Sequence, residues 1–384
     1  MRILLIFLRY SSSFTAYPWL FSRGGRIEVD VIANANHSIH HSVWVKNRVP
    51  VHKNEVFWRK LRKHLDQVQY DDVLCVDEPA RDALLAPGIV RHFPEIKSLN
   101  DRLLSEGVAT NKSVFTDWCR GQGLGVPDSI QVGNPEEAYA AAEKIGLPCV
   151  FKGLANSGGR QMIIVRDEDD LAKACGSFKA KEKWLVQELI KGFVGTSVFV
   201  SRNGNVFGAY SYINQCATAR GFGPAVVCKP HSYPSIEHAV KTIGSHFNGF
   251  TGFDWMLRTD GSLVLIDPHF GRMVPSGSVA HLAGIDLGAA YYQSLSGEAL
   301  APTVHSSSAV YFWIFPQCFQ LLLEGGALQA VRQFSPFRRE AAFFFCAPGE
   351  WRMACHQTWD YLLNWLRVRL GAVKQILKRL FRRK

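Results

Sequence analysis

The first hundred residues carry short apolar runs separated by longer mixed stretches. Ile3–Leu8 is uninterrupted, and Ile27–Ala33 and Asp72–Val76 are close to it in character. Short, nearly continuous apolar runs are the signature of strands buried on both faces. We therefore predict strands over Arg2–Leu8, Ile27–Ala33 and Asp72–Val76. Between them Val56, Leu61, Leu65 and Val68 recur at helical spacing, which predicts a helix over Val56–Val68. Pro79 suits the first turn of the next helix. This rhythm implies a small doubly wound α/β sheet. No G-x-G-x-x-G follows the first strand, so the dinucleotide fingerprint is absent. The opening residues also mimic a signal peptide, but the apolar stretch is short and Arg9 ends it, so a buried first strand is the expectation.

Further on, helices are predicted over Lys112–Arg120 and Pro135–Ile145, strands over Cys149–Lys152 and Met162–Val165, and a helix from Asp167. Gly121-Gln122-Gly123-Leu124-Gly125 follows a helix rather than a strand, so it reads as a helix stop and turn, not a phosphate loop. From 184 to 270 the pattern becomes antiparallel. Strand candidates are Trp184–Glu188, Thr196–Ser201, Val206–Asn214, Gly252–Arg258 and Leu263–Asp267, with a helix over Ser235–Phe247. Asn203-Gly204 and Asp260-Gly261 are hairpin signals. Residues 303–350 read as irregular and aromatic-rich.

Composition narrows the class. With 47% hydrophobic and 20% charged residues the chain is globular rather than disordered. A mean hydropathy of −0.03 and the lack of long apolar runs exclude a polytopic membrane protein. The net charge of +11 is concentrated at one end: from Trp351 onward nine cations face Asp360 alone, so the tail carries +8 and the body is nearly balanced. Nine cysteines, an odd number with no C-x-x-C pair, argue against a zinc knuckle or a disulfide framework and fit a reducing cytosol. His37, His40 and His41 read as a polar loop.

Four short pieces carry candidate chemistry. Asn111-Lys112-Ser113 opens a helix. Val150-Phe151-Lys152-Gly153 ends a strand and precedes Ser157-Gly158-Gly159. Gln187-Glu188-Leu189-Ile190 ends another strand. Gly252-Phe253-Asp254-Trp255, Asp260-Gly261 and Leu265-Ile266-Asp267-Pro268-His269 close the set. Two lysines on separate elements can neutralise a polyphosphate from two sides, and a Gly-Gly turn lets backbone N–H groups approach phosphate oxygens. A strand end can offer backbone groups to a planar base. Two aspartates on strands joined by an Asp-Gly turn can share a face and form a hard oxygen site suited to Mg²⁺. Each has a plainer reading: Lys112 and Lys152 as surface lysines, Asp254 as an outward residue on an alternating strand.

In this order and spacing the pieces resemble the ATP-grasp superfamily, the ligases related to biotin carboxylase, carbamoyl-phosphate synthase and D-alanine–D-alanine ligase, over residues 1–300. The resemblance implies a pre-ATP-grasp β/α domain over 1–108, an α+β ATP-grasp domain over 109–302 (lobe A about 109–184, lobe B about 185–302) and a C-terminal extension over 303–384. It implies ATP with Mg²⁺ or Mn²⁺, and a small-molecule carboxylate activated as an acyl phosphate for attack by an amine, less often a thiol. Lys112 and Lys152 resemble the phosphate-contacting cations, and Ser157, Gly158 and Gly159 the loop over the phosphates. Gln187, Glu188 and Ile190 fall at the adenine hinge. Asp254 and Asp267 match the metal-binding acids, and His269 falls where the family usually has Asn. Counting from Gly261 favours this register over one that puts Asp267 on the Asn position and Leu265 on the acid. Arg272 lies one residue late for the arginine that usually follows, and Arg220 lies where such ligases contact the acyl substrate, or on a surface loop. Two departures are visible: Arg160-Gln161 follow Gly159 where the family has Gly-x-Gly, and no acid stands near Gly195, where a ribose-holding glutamate is expected. They keep open the alternative of a catalytically decayed, ATP-binding accessory protein.

The tail from Thr358 to Lys384 has Leu362, Leu366, Leu370, Val373, Leu377 and Leu380 on one helical stripe, with Arg367, Lys374, Lys378 and Arg382 on another face. This basic amphipathic helix over 358–384 suits an anionic membrane surface, giving a cytoplasmic protein peripheral on the inner face of the membrane. Packing against the chain's own body is the other reading. Nucleic acid is disfavoured, because the body offers no basic groove with interleaved aromatics.

Overall fold

The computed structural model describes residues 1–9, 12–53, 55–153, 162–176, 183–218, 223–275, 277–298, 311–315, 317–337, 339–344 and 346–381, with side chains for all of these except 12, 100, 102, 105, 364, 368, 369 and 371–381. The first sheet is parallel, in the order β3-β2-β1-β4, from β1 (Arg2–Phe7), β2 (Glu28–Asn34), β3 (Arg48–Val51) and β4 (Asp72–Cys75). The apolar run of β1 is central, and Ile3 to Phe7 are buried. One buried charge in this sheet is fully partnered: Asp30 on β2 accepts from Arg2, the Asn47 N–H and the Tyr70 hydroxyl, at 2.7, 3.0 and 2.8 Å. An unpaired carboxylate there would carry the full desolvation cost.

The second sheet is antiparallel, in the order β5-β8-β6-β7, from β5 (Ser129–Val132), β6 (Cys149–Gly153), β7 (Met162–Val165) and β8 (Trp184–Glu188). Helices Pro135–Ile145 and Glu168–Cys175 start at side-chain caps, Asn134 and Asp167, and bury Ala138, Ala142, Leu171 and Ala174 against Phe151 and Val186.

The third sheet has seven strands. β9 (Gly192–Arg202), β10 (Asn205–Ala217), β11 (Ala225–Pro230), β12 (Gly249–Arg258) and β13 (Leu263–Pro268) are joined by β14 (Tyr311–Ile314) and β15 (Ala341–Phe344), in the order β13-β12-β9-β10-β11-β14-β15. Both hairpin signals sit at turns: Asn203 and Gly204 have φ of 51° and 80°, the mirror-type turn that the twist of β9 and β10 requires, and Gly261 has φ of 85° between β12 and β13. The glycine-rich stretch after helix Lys112–Gly121 is a stop, with Gly123 at φ 71°. Gly125 then runs against β13, accepting from the Leu265 N–H at 2.9 Å.

The expectation of irregular structure over 303–350 needs correction where the chain is described. β14 pairs in parallel with β15, with helices Gln317–Leu323 and Ala327–Phe334 between them. Four-residue strands such as Tyr-Phe-Trp-Ile are too short to show a period, so their pairing was not legible. The tail helix also begins earlier than expected, running from Trp351 to Phe381. Its start is docked: Met353, Ala354 and Gln357 are buried, and Gln357 donates to the Thr15 hydroxyl at 2.7 Å. No helix among the described residues is long and apolar enough to cross a membrane.

The first sheet, helix Tyr17–Ser22 and β10 clamp the turn after β13. The Met273 N–H bonds the carbonyls of Cys75 and Val76 at 3.2 and 3.3 Å, Tyr17 donates to the Val274 carbonyl at 2.6 Å, and Tyr212 on β10 donates to Pro275 O at 3.3 Å. Gly271 makes this turn possible, with φ of 68° and Leu104 only 2.4 Å from where a Cβ would stand.

On β9, Gly195 lies beneath the Trp255 ring, and a Cβ would stand 2.2 Å from it. Trp255 is fully buried and donates to the Ser197 hydroxyl at 3.0 Å, so it has little room to yield. Gly195→Ala is expected to destabilise the chain by about 1–3 kcal/mol, as overpacking does. A lower urea midpoint at unchanged slope would show it; an unchanged midpoint would mean that the Trp255 pocket is plastic.

Candidate active site

Asp254 on β12 and Asp267 on β13 stand directly opposite each other in the hairpin register. A bulge follows Asp254, re-aiming the strand at this point. Thr196 on β9 pairs with Asp254 from the other side, and its hydroxyl donates to Asp254 Oδ1 at 2.7 Å. His269 Nε2 lies 3.0 Å from the same oxygen. Asp254, Asp267 and His269 thus each bring a polar atom within 4.8 Å of the others. Asp254 Oδ2 has no donor among the described residues. Burial alone would raise the Asp254 carboxyl, but His269, the Thr196 hydroxyl and Arg272 more than offset it and hold it below its ordinary value.

The two lysines approach from different elements. Lys112 is the first residue of its helix, after the cap Asn111, and its Nζ is 3.5 Å from Asp267 Oδ1. Lys152 projects from β6 and donates to Gln187 Oε1 at 2.5 Å; Gln187 in turn donates to the Ser129 hydroxyl at 2.9 Å. Burial and then the Lys112 charge push the Lys152 ammonium down to about 8, against the opposing pull of Asp267 and Asp254. The four charged groups therefore lie close enough to act on one another, although they come from a helix, the second sheet and the third sheet.

Other candidates fall differently. Both Glu188 oxygens are engaged inside the protein: Oε2 by Arg258 at 3.1 Å, Oε1 by a second Arg258 contact and by the Asp128 N–H at 3.0 Å. Its own N–H donates to Asp128 O at 3.0 Å. The side chain thus ties β8 to the end of β12. Ile190 is buried in the connector between β8 and β9. Arg272 is buried beneath the carboxylate pair, with Nη2 2.6 Å from His269 Nδ1 and Nη1 donating to Met273 O at 3.2 Å. Burial lowers its pKa from the usual arginine value. Ser157, Gly158, Gly159 and Arg220 lie outside the described residues. Thr196 and Ser129 are partners that sequence reading missed. Alternation along β9 marks Thr196 only as a polar position, and nothing local pairs it with a residue 58 positions away.

The donor set fits a hard divalent cation. Two carboxylates face each other, each with an oxygen free of hydrogen bonds among the described residues, and hard oxygens suit Mg²⁺ better than imidazole nitrogen does. The flanking lysines fit an oligophosphate beside it.

Residues 112–215 match the family described as carbamoyl-phosphate synthase L chain, ATP binding domain. The C-terminal section of the carbamoyl phosphate synthase large chain from Methanopyrus kandleri is 30% identical over 136 residues, 34% of this chain. That alignment spans 24% of the archaeal protein, about a quarter of its length. In structure, the biotin carboxylase domain of Hydrogenobacter thermophilus 2-oxoglutarate carboxylase, solved with MgADP, ADP and bicarbonate, superposes with a TM-score of 0.58 at 16% identity, covering 80% of this chain and 73% of that one. The L-amino acid ligase of Bacillus licheniformis gives 0.53 at 18% identity, covering 76% and 74%. The chain thus shares its fold with these ATP-dependent enzymes, and residues 112–215 resemble the ATP-binding domain of the matched family.

Proposed function

We propose that the chain is an ATP-dependent ligase that joins a small carboxylic acid to an amine. The observation that carries this reading is the convergence of Lys112, Lys152, Asp254 and Asp267 on one cleft. A substrate carboxylate oxygen attacks the γ-phosphorus of ATP, the bond to the β-phosphate oxygen breaks, and ADP leaves. The amine nitrogen then attacks the acyl carbon of the acyl phosphate and inorganic phosphate departs. Lys152 and Lys112 hold the transferring phosphoryl group from two sides, and the low dielectric of the cleft strengthens both contacts. Mg²⁺ held by Asp254 and Asp267 would neutralise the phosphate charge when bound. By resemblance, Ser157, Gly158 and Gly159 close over the phosphates, Gln187, Glu188 and Ile190 flank the base, and Arg220 meets the acyl substrate.

A second reading, an ATP-binding protein whose catalysis has decayed, draws support from two packing facts. Trp255 fills the space over Gly195, so no acid fits where a ribose contact is expected, and Glu188 is spent on Arg258. ADP release separates the two readings.

The basic tail supports placement of this reaction at an anionic membrane surface on the cytoplasmic side. At about 100° per residue, Trp351, Trp359, Leu362, Leu366 and Leu370 fall in a sector of about 100°. Met353, Ala354 and Gln357 fall on the opposite side of the helix, and it is they that are buried. Trp351, Trp359 and Leu370 are each more than half exposed. A helix docked by one face, with tryptophan and leucine outward beside cations, suits an anionic bilayer.

Lys152→Met and Asp267→Asn are expected to lower ADP production with a carboxylate and amine panel by about a hundredfold or more. Unchanged turnover in both would remove the ligase mechanism; tight ATP binding by the wild type without ADP release would favour the second reading.

Lys152→Met should also raise the stability of the nucleotide-free protein near pH 7 by about 1–3 kcal/mol, since the folded state disfavours the lysine cation. The sign follows from a folded pKa below the unfolded one. The unfolded chain binds more protons between about 8 and the ordinary lysine value, so wild-type stability rises with pH there and the advantage of the variant shrinks. Melting temperatures at pH 7 and pH 10 test this; a constant difference would place the lysine charge in solvent.

Trp359→Asp with Leu366→Asp should reduce co-sedimentation with phosphatidylserine-containing vesicles by about tenfold or more, leaving the melting temperature unchanged. Retained sedimentation, or an apolar face closed by a second copy in size-exclusion chromatography, would overturn the membrane placement.

A further inference from the structure

Behind the carboxylate pair runs a chain of three contacts with only one consistent arrangement of protons. Arg272 Nη2 lies 2.6 Å from His269 Nδ1, His269 Nε2 lies 3.0 Å from Asp254 Oδ1, and the Thr196 hydroxyl lies 2.7 Å from the same oxygen. A guanidinium nitrogen can only donate, so Nδ1 must accept. With Nδ1 the acceptor, Nε2 is the nitrogen that faces Asp254 Oδ1 as a donor. His269 and Arg272 are 3% and 6% exposed, so water is poorly placed to substitute for either contact.

Arg272 is itself fixed from the end of the first sheet. Its Nη1 donates to Met273 O, and the Met273 N–H is bonded to Cys75 and Val76 at the end of β4. The first sheet therefore sets Arg272, Arg272 sets the histidine tautomer, and the histidine sets the carboxylate.

We propose that His269 is a positioning residue rather than a metal ligand: it holds Asp254 through an Nε2–H donor bond to Oδ1 and leaves Oδ2, with Asp267, to the divalent cation. Where the superfamily usually has Asn, a carboxamide brings a hard oxygen. This chain exchanges that oxygen for a hydrogen-bond donor. The site then offers a cation two protein carboxylates and no nitrogen, and metals that favour imidazole gain nothing from it. The consequence for the metal rests on the ligase reading, while the tautomer does not.

The test uses the full chain. Long-range ¹⁵N–¹H correlation of histidine-labelled protein at pH 7, with His269 assigned from its loss in His269→Gln, is expected to show Nε2 protonated and Nδ1 bare, before and after addition of Mg²⁺ and ATP. Protonated Nδ1, a doubly protonated ring, or loss of the Nε2 proton on adding metal would overturn the proposal. Pulsed electron paramagnetic resonance of the Mn²⁺–ADP complex is expected to show no directly bound histidine nitrogen. A nitrogen coupling that disappears in His269→Gln would also overturn it. His269→Ala, which leaves Asp254 Oδ1 with Thr196 alone, should weaken Mg²⁺ binding about tenfold. His269→Asn, which returns a ligand oxygen, should bind Mg²⁺ at least as tightly as the wild type; tenfold weakening by both substitutions would overturn the positioning role. Failure of Mn²⁺ to bind with nucleotide would instead count against the ligase reading, and the tautomer would still be decided by the nitrogen shifts.

Discussion

The site depends on how the turn after β13 is held. Asp267, His269 and Arg272 lie within six residues of one another, yet their geometry is imposed from far away in sequence, by Cys75, Val76 and Tyr17 and by Tyr212 of β10. The turn reaches these partners because Gly271 adopts positive φ where any side chain would strike Leu104. Residues of the first sheet and of the helix Tyr17–Ser22 therefore form a structural wall behind the carboxylate pair.

The charges of the cleft are unbalanced by the protein's own groups. Two carboxylates face one another, and two lysines are close enough that one depresses the pKa of the other. Folding tolerates this because Thr196, His269 and Gln187 satisfy the most buried atoms. Local conflict of this kind, in a chain otherwise consistent with its fold, is expected at functional sites. A metal–triphosphate would resolve both repulsions together, since it presents cation to the aspartates and anion to the lysines.

The departures from the superfamily pattern share a physical theme. Trp255 over Gly195, Arg258 on Glu188 and Arg272 beneath His269 each substitute internal packing or hydrogen bonding for a group that the resemblance would aim at a ligand.

The strands β1, β2, β4, β6, β7 and β8, the capped helices and both hairpins were legible in the sequence because their signals are local: apolar period, Asn or Asp before a helix, Asn-Gly and Asp-Gly at turns; the four-residue strands β3 and β5 carry no such period and were not. The positions of Lys112, Lys152 and Asp267 near the ends of their elements were legible for a similar reason, whereas Asp254 sits mid-strand. What only the tertiary structure decided is everything set by contacts across long separations. It paired Thr196 with Asp254, tied Glu188 to Arg258, joined β14 and β15 to the third sheet and buried one side of the tail helix while exposing the other. The tautomer of His269 belongs to this group. A linear sequence names the donors and acceptors, but which nitrogen carries the proton is determined by which neighbour can only give one.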